Sequence, residues 1–170
     1  MIRYAQSADL SAILDIYNDA ILNTTSVYDY QPHTLEDRVS WYEKKATDGY
    51  PVLVFEENNR VIGFASYGSF RAWPAYKYTV EHSVYVHKDH RGKKVGLRLM
   101  KKLIEVANSK GYAIMVAAID SNNKTSIIMH KNLGFSKCGI IKKAGFKFGK
   151  WLDLTFYQYE LRGPEAPRDG

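Results

Sequence analysis

Apolar and polar positions along the chain follow two periods, and they predict alternating strands and helices. Met1 to Ala5 reads as a short strand, after which Leu10, Ile13, Leu14, Tyr17 and Ile21 recur at helical spacing. Residues 23–32 read as a loop with Pro32 near its end. Thr34-Leu35-Glu36-Asp37 has the form of a capping box, with Asp in place of the usual Glu, and opens a second helix that runs to about Ala46. Asp48-Gly49-Tyr50-Pro51 is turn chemistry, and Val52 to Glu56 is a strand. Asn58-Asn59 marks a hairpin that returns as a strand over Val61 to Phe70. A loop containing Pro74 leads to a strand over Tyr78 to Val86. There Val80, His82, Val84 and Val86 face one way and Thr79, Glu81, Ser83 and Tyr85 the other.

The second half repeats this logic. His87 to Val95 is a polar, basic turn, and Leu97, Met100, Ile104 and Ala107 define a helix that ends near Lys110-Gly111. Ala113 to Ile119 is a continuous apolar run, as in a buried strand. Asn122 or Asn123 caps a short helix that stops at Gly134. Residues 136–143 and 150–161 read as two last strands joined by Ala144 to Gly149. The expected architecture is a single mixed α/β domain over residues 1–162, with a disordered Pro/Gly-rich tail over 163–170.

Composition narrows the class. The 170 residues are 45% hydrophobic and 25% charged, which excludes general disorder and fits one domain. A single cysteine, Cys138, excludes an intramolecular disulfide and speaks against a Cys-based zinc cluster, so no metal is expected. The longest apolar run spans seven residues, too few to cross a bilayer, and Met1 to Ser7 lacks a signal-peptide core. The expectation is a cytoplasmic protein with no membrane partner.

Charge is polarised. Residues 1–60 carry 5 basic and 10 acidic groups, residues 87–110 carry 8 basic and 2 acidic groups, and residues 137–150 carry five lysines and no acid. Concentrated positive charge implies a polyanionic partner, either nucleic acid or a phosphate-bearing small molecule. The basic run begins at a glycine-bearing turn between strand and helix, where free backbone N–H groups and the helix dipole attract anions. RNP, KH and zinc-finger signatures are absent, which disfavours nucleic acid. Neither a Walker sequence nor a GxGxxG turn is present. What remains is Arg91-x-x-x-x-Gly96 after an apolar strand.

That segment, Arg91-Gly92-Lys93-Lys94-Val95-Gly96, resembles the pyrophosphate loop of the GNAT N-acetyltransferase superfamily, whose pattern is Gln/Arg-x-x-Gly-x-Gly/Ala. Lys94 stands where the first patterned glycine belongs. If the position needs a positive φ, lysine strains the turn; if it needs only a backbone N–H, lysine is tolerated. Asn123-x-x-Ser126 followed by His130-x-x-Leu133-Gly134-Phe135 is similar to the last motif of the superfamily. Thr79 to Val86, Ala144 to Asp153, Thr24 to Tyr28 and Phe70-Arg71 together resemble the phosphinothricin / methionine sulfoximine N-acetyltransferase group.

The resemblance implies a mixed, mostly antiparallel sheet of about seven strands flanked by about four helices. It also implies acetyl transfer from acetyl-CoA to a small-molecule amine, with a homodimer as the assembly. Glu81 matches the general base. His130 stands where relatives place Tyr and either protonates the leaving thiolate or packs against the cofactor. Val84, Tyr85 and Val86 would pair with the pantetheine arm, and a backbone N–H near Val84 or Tyr85 would face the oxyanion. Arg91, Gly92, Lys93, Lys94, Val95, Gly96 and Leu97 would hold pyrophosphate, with Asn123 and Ser126 also on the cofactor side. Arg71 would clamp the acceptor carboxylate, and Tyr28, Tyr78 and His82 would line the acceptor pocket. Transfer to a protein or peptide amine is the alternative from the same acetyl-CoA site.

Overall fold

The computed structural model describes residues 1–169. The elements are β1 (Ile2–Tyr4), α1 (Leu10–Asn23), α2 (Leu35–Thr47), β2 (Val52–Glu57), β3 (Arg60–Ser69), β4 (Thr79–Val86), α3 (Val95–Ser109), β5 (Ile114–Asp120), α4 (Lys124–Leu133), β6 (Ser136–Lys147) and β7 (Lys150–Glu160). The strands form a seven-stranded mixed sheet in the order β1-β2-β3-β4-β5-β7-β6. Element order agrees with the pattern in the sequence, and the seven-stranded mixed sheet with what the resemblance implies.

Local chemistry explains the boundaries. The Thr34 hydroxyl accepts the Asp37 N–H at 3.2 Å, and the Asp37 carboxylate accepts the Thr34 N–H at 2.8 Å, so the capping box closes with Asp in the Glu position. Asn58 and Asn59 both take positive φ, at 51° and 58°, as a two-residue turn of the primed type requires. Asn123, not Asn122, caps α4, and Gly134 ends it at φ 103°. There the Phe135 N–H donates to the His130 carbonyl at 3.0 Å.

One boundary differs from the sequence reading. The expected strand end at residue 143 is overrun: β6 continues to Lys147 through an irregularity between Ile141 and Gly145. Lys143 takes φ 51° there, and its N–H donates to the Asp153 carboxylate at 2.9 Å. A bulge absorbs the extra residues that read as a loop. The turn proper is Phe148-Gly149, with φ of 50° and 72°.

The chain divides into two compact units, 1–67 with 83–103, and 68–82 with the chain from Ile104 onward. In the first, β1, β2 and β3 are antiparallel, and Leu10, Ile13 and Ile16 of α1 pack with Val52, Val54 and Phe64. Gly63 of β3 permits a close approach. A Cβ there would lie 3.0 Å from Val95 Cγ1 and 3.1 Å from the Tyr85 carbonyl oxygen. In the second unit, the start of β4 pairs parallel with β5, from Thr79↔Ile114 to Glu81↔Val116. The other edge of β5 pairs antiparallel with β7, which pairs with β6. Val80, Ala107, Met115 and Leu152 are fully buried. Residues 163–169 form no helix or strand, yet the Gly163 N–H donates to the Tyr112 carbonyl at 3.1 Å and the Arg168 N–H to the Tyr78 hydroxyl at 3.1 Å. Gly170, the end of the expected disordered tail, lies outside the described residues. Among the described residues no helix is long and apolar enough to cross a membrane.

Candidate active site

In the first unit the basic turn leads from β4 into the 15-residue helix α3. Arg91 to Lys94 are all exposed. Gly92 sits at φ 78° and Lys94 at φ 62°. The position that departs from the family pattern therefore does need the left-handed conformation, and lysine carries a strain of about 1–2 kcal/mol there. Alternating left-handed residues turn successive N–H groups toward one side, which makes a concave anion site ahead of the helix N-terminus. A Cβ at Gly92 would meet nothing within 4 Å. An exposed N–H cradle with Lys93 and Lys94 beside it fits a pyrophosphate group. Arg91 is used differently: its Nη2 donates to Asp19 Oδ2 at 2.6 Å and its Nε to the Val86 carbonyl at 3.2 Å. It ties the turn to α1 and to the end of β4.

In the second unit Glu81 and Arg71 face one another. Arg71 Nη1 lies 3.9 Å from Glu81 Oε2 and donates to the Phe70 carbonyl at 2.7 Å. Its guanidinium also covers the Phe70 ring, 4.0 Å from the centroid. At that separation the two side chains attract without a shared hydrogen bond. Burial pushes the Glu81 carboxyl above the ordinary carboxylate range, and the Arg71 charge opposes that rise without cancelling it. The register of β4 with β5 ends at Glu81, while β4 continues to Val86.

The next residue along β4 belongs to a separate network. His82 Nε2 lies 3.0 Å from His130 Nε2, and His130 Nδ1 lies 2.7 Å from the Ser126 carbonyl oxygen. A carbonyl only accepts, so His130 must carry its proton on Nδ1. Its Nε2 is then an acceptor, and His82 donates from Nε2. His82 Nδ1 is left buried, bare of a proton and without a partner. Burial lowers the pKa of both rings, and the neighbouring His130 charge lowers that of His82 further. The pair is neutral. Phe135 packs edge-on to both rings, at 5.8 Å and 5.0 Å.

Asn123 Oδ1 accepts the Ser126 N–H at 3.1 Å, so the Asn123 side chain and the Ser126 backbone cap α4. Tyr78 hydrogen-bonds to Arg168, and Tyr28 is partly exposed. The structure thus brings Glu81 and Arg71 together, and joins His82 to His130 rather than to Glu81. Strand alternation contained that separation, because it sets His82 and Glu81 on opposite faces. Sequence reasoning missed Asp19 and Arg38. Arg38 is 3% exposed on α2, and nothing in its helical spacing marks it as buried. Among the described residues no cluster of three His, Cys, Asp or Glu side chains is placed to hold a metal.

Comparison with known proteins supplies the frame for this geometry. The family model described as an acetyltransferase (GNAT) domain matches residues 2–156. An L-methionine sulfoximine/L-methionine sulfone acetyltransferase from Salmonella typhimurium is 46% identical over 166 residues, covering 98% of this chain and 97% of that protein. A phosphinothricin acetyltransferase from Sinorhizobium meliloti, solved in complex with acetyl-CoA, is 34% identical with a TM-score of 0.94, covering 99% of this chain and 92% of that one. A ribosomal-protein-alanine N-acetyltransferase from Brucella melitensis is 43% identical with a TM-score of 0.93, covering 95% of this chain and 99% of that one.

Proposed function

The chain belongs to the GNAT acetyltransferase family and is an acetyl-CoA-dependent N-acyltransferase, and on that footing we propose that it acetylates the α-amine of an L-amino-acid analogue of the methionine sulfoximine or phosphinothricin type. The observation that carries this reading is the loose Arg71–Glu81 pair, with its 3.9 Å gap. An α-amino acid presents a carboxylate and an amine on one carbon. A guanidinium and a carboxylate standing side by side without a bond between them match those two groups in mirror order. Arg71 takes the carboxylate and Glu81 the ammonium, whose proton it removes before attack. The elevated Glu81 pKa narrows the gap to the amine and eases that transfer.

Acetyl-CoA supplies the activated acetyl group. The N–H groups of the turn from Gly92 to Leu97, with Lys93 and Lys94, are suited to its pyrophosphate. Backbone N–H groups near Val84 and Tyr85 are suited to the acetyl carbonyl oxygen. His130 acts as a positioning residue rather than a proton donor to the thiolate, since its one proton is held by the Ser126 carbonyl. The exposed apolar side chains Ile140, Ile141, Phe148 and Trp151 support a homodimer, which sedimentation would test.

A second reading, acetylation of a protein N-terminus, is favoured by the likeness to the Brucella ribosomal-protein-alanine N-acetyltransferase. One experiment separates the two. Free thiol release from acetyl-CoA is measured with L-methionine sulfoximine, L-methionine sulfone, phosphinothricin and L-methionine, and with peptides beginning in alanine. Rapid release with the analogues and none with peptides is the expected result. Release with peptides alone transfers the enzyme to the second reading.

A further inference from the structure

Lys45, in the last turn of α2, has aromatic surroundings in place of a counter-ion. Helical spacing sets it one turn after Trp41, whose ring centroid lies 6.0 Å from its Nζ. The helix then ends, and Gly49 at φ 73° turns the chain back. The Tyr50 N–H donates to the Lys45 carbonyl at 2.8 Å, and the Tyr50 ring stands 5.4 Å from the Lys45 Nζ. Tyr50 also packs edge-on to Tyr67 of β3, with centroids 5.9 Å apart. The Nζ itself donates to the Tyr67 carbonyl at 2.7 Å. Lys45 is half-buried by these contacts, whereas its neighbour Lys44 is exposed.

The charged groups nearby do not neutralise it. Asp48 is the close carboxylate, and it pairs with Lys44 at 3.0 Å. Lys44 adds repulsion. From β3 the facing group is an uncharged carbonyl, and from the turn a phenol ring. Burial outweighs the attraction of Asp48 and lowers the Lys45 pKa to about 8. At pH 7.5 about a quarter of such a side chain is neutral amine, against about one part in a thousand of an ordinary lysine. A desolvated lysine of this kind is a nucleophile. The site also suits an acylated nitrogen. An N-acetyl-lysine keeps one N–H, which is what the Tyr67 carbonyl accepts, and loses the charge that burial disfavours. Its methyl group is apolar, like the rings of Trp41 and Tyr50 beside it.

We propose that Lys45 is a site of direct N-acetylation, in which its neutral Nζ attacks the thioester carbonyl of free acetyl-CoA. The C–N bond forms, the C–S bond breaks, CoA leaves as the thiolate, and the nitrogen gives up one proton to water. The step uses the cosubstrate of the enzyme and no particular acceptor amine, so it stands apart from the amino-acid reading. Once modified, α2 is fastened to β3 by a neutral amide in place of an ammonium.

The test incubates the full-length protein with millimolar acetyl-CoA and no acceptor, and follows acetylation of Lys44 and Lys45 by peptide mass spectrometry, with fragment ions to separate the two. At pH 7.5 Lys45 reacts at least about tenfold faster than Lys44, the larger neutral fraction being partly offset by the weaker nucleophilicity of a less basic nitrogen. The Lys45 rate levels off above about pH 8, while that of Lys44 keeps rising. In urea the preference disappears, because it belongs to the folded surroundings. Lys45 is labelled at the same rate in Glu81→Gln, since the active-site carboxylate takes no part. No label at Lys45, equal rates at the two lysines, a preference that survives in urea, or label that disappears in Glu81→Gln overturns the proposal.

Discussion

Two arginine–carboxylate groups in this protein use the same chemistry at different spacing, and their carboxyl groups shift in opposite directions. At the start of the chain Arg3 donates to both oxygens of Asp9, at 2.7 Å and 2.9 Å, and to Glu56 at 2.8 Å. Those hydrogen bonds hold the Asp9 carboxyl below its ordinary range, against the desolvation that opposes them. Beside β4, Arg71 stops 3.9 Å short of Glu81, and desolvation wins. A closed pair spends its charges on each other and stabilises the fold. An open pair keeps both charges for a ligand and leaves a carboxylate basic enough to take a proton.

Replacing the open carboxylate tests this contrast most severely. Glu81→Gln keeps the shape, removes the base, and should lower turnover by about 10²–10⁴-fold with an unchanged melting curve. Unchanged turnover would place Glu81 with Asp9 among structural carboxylates. The closed pair should behave in the reverse way. Arg3→Ala leaves Asp9 buried without its partner and should cost about 2–3 kcal/mol in urea unfolding, with kcat retained. The sign with pH follows. The folded pKa of Asp9 is depressed, so its contribution is complete above the unfolded value and is lost as pH falls through the folded one. Acid titration of stability should therefore flatten in Arg3→Ala.

A smaller effect comes from opening the loose pair further. Arg71→Ala should raise KM for amino-acid acceptors about tenfold and leave that for acetyl-CoA alone. Because Arg71 restrains the rise of the Glu81 pKa, its removal should also move the acid limb of kcat/KM to higher pH. A limb that stays in place would detach Glu81 from that limb. The smallest change is expected at the basic turn, where Lys94→Gly relieves the left-handed strain at φ 62°. A gain of about 0.5–1 kcal/mol in stability should appear, reduced by the backbone freedom that glycine adds to the unfolded chain. A loss would mean that the lysine side chain holds the turn.

The sequence by itself determined what local signals can carry. The capping box at Thr34 and Asp37, the Asn58-Asn59 turn, the stop at Gly134 and the basic strand-to-helix turn all depend on neighbours within a few residues. The chain order of strands and helices follows from them. The reach of β6 was not legible, because its bulge is stabilised by Asp153 on the partner strand. Tertiary structure alone decided the chemistry of the site. Arg91 is tied to Asp19, 72 residues away, and His82 to His130, 48 residues away. Neither partner has a spacing that marks it. The raised Glu81, the neutral histidine pair and the Arg38 cation held against aromatic rings follow from burial, the summed exclusion of water by segments distant in sequence. Local patterns place a charge on an element, and only the folded surroundings decide whether it is paired, neutralised or left for a ligand.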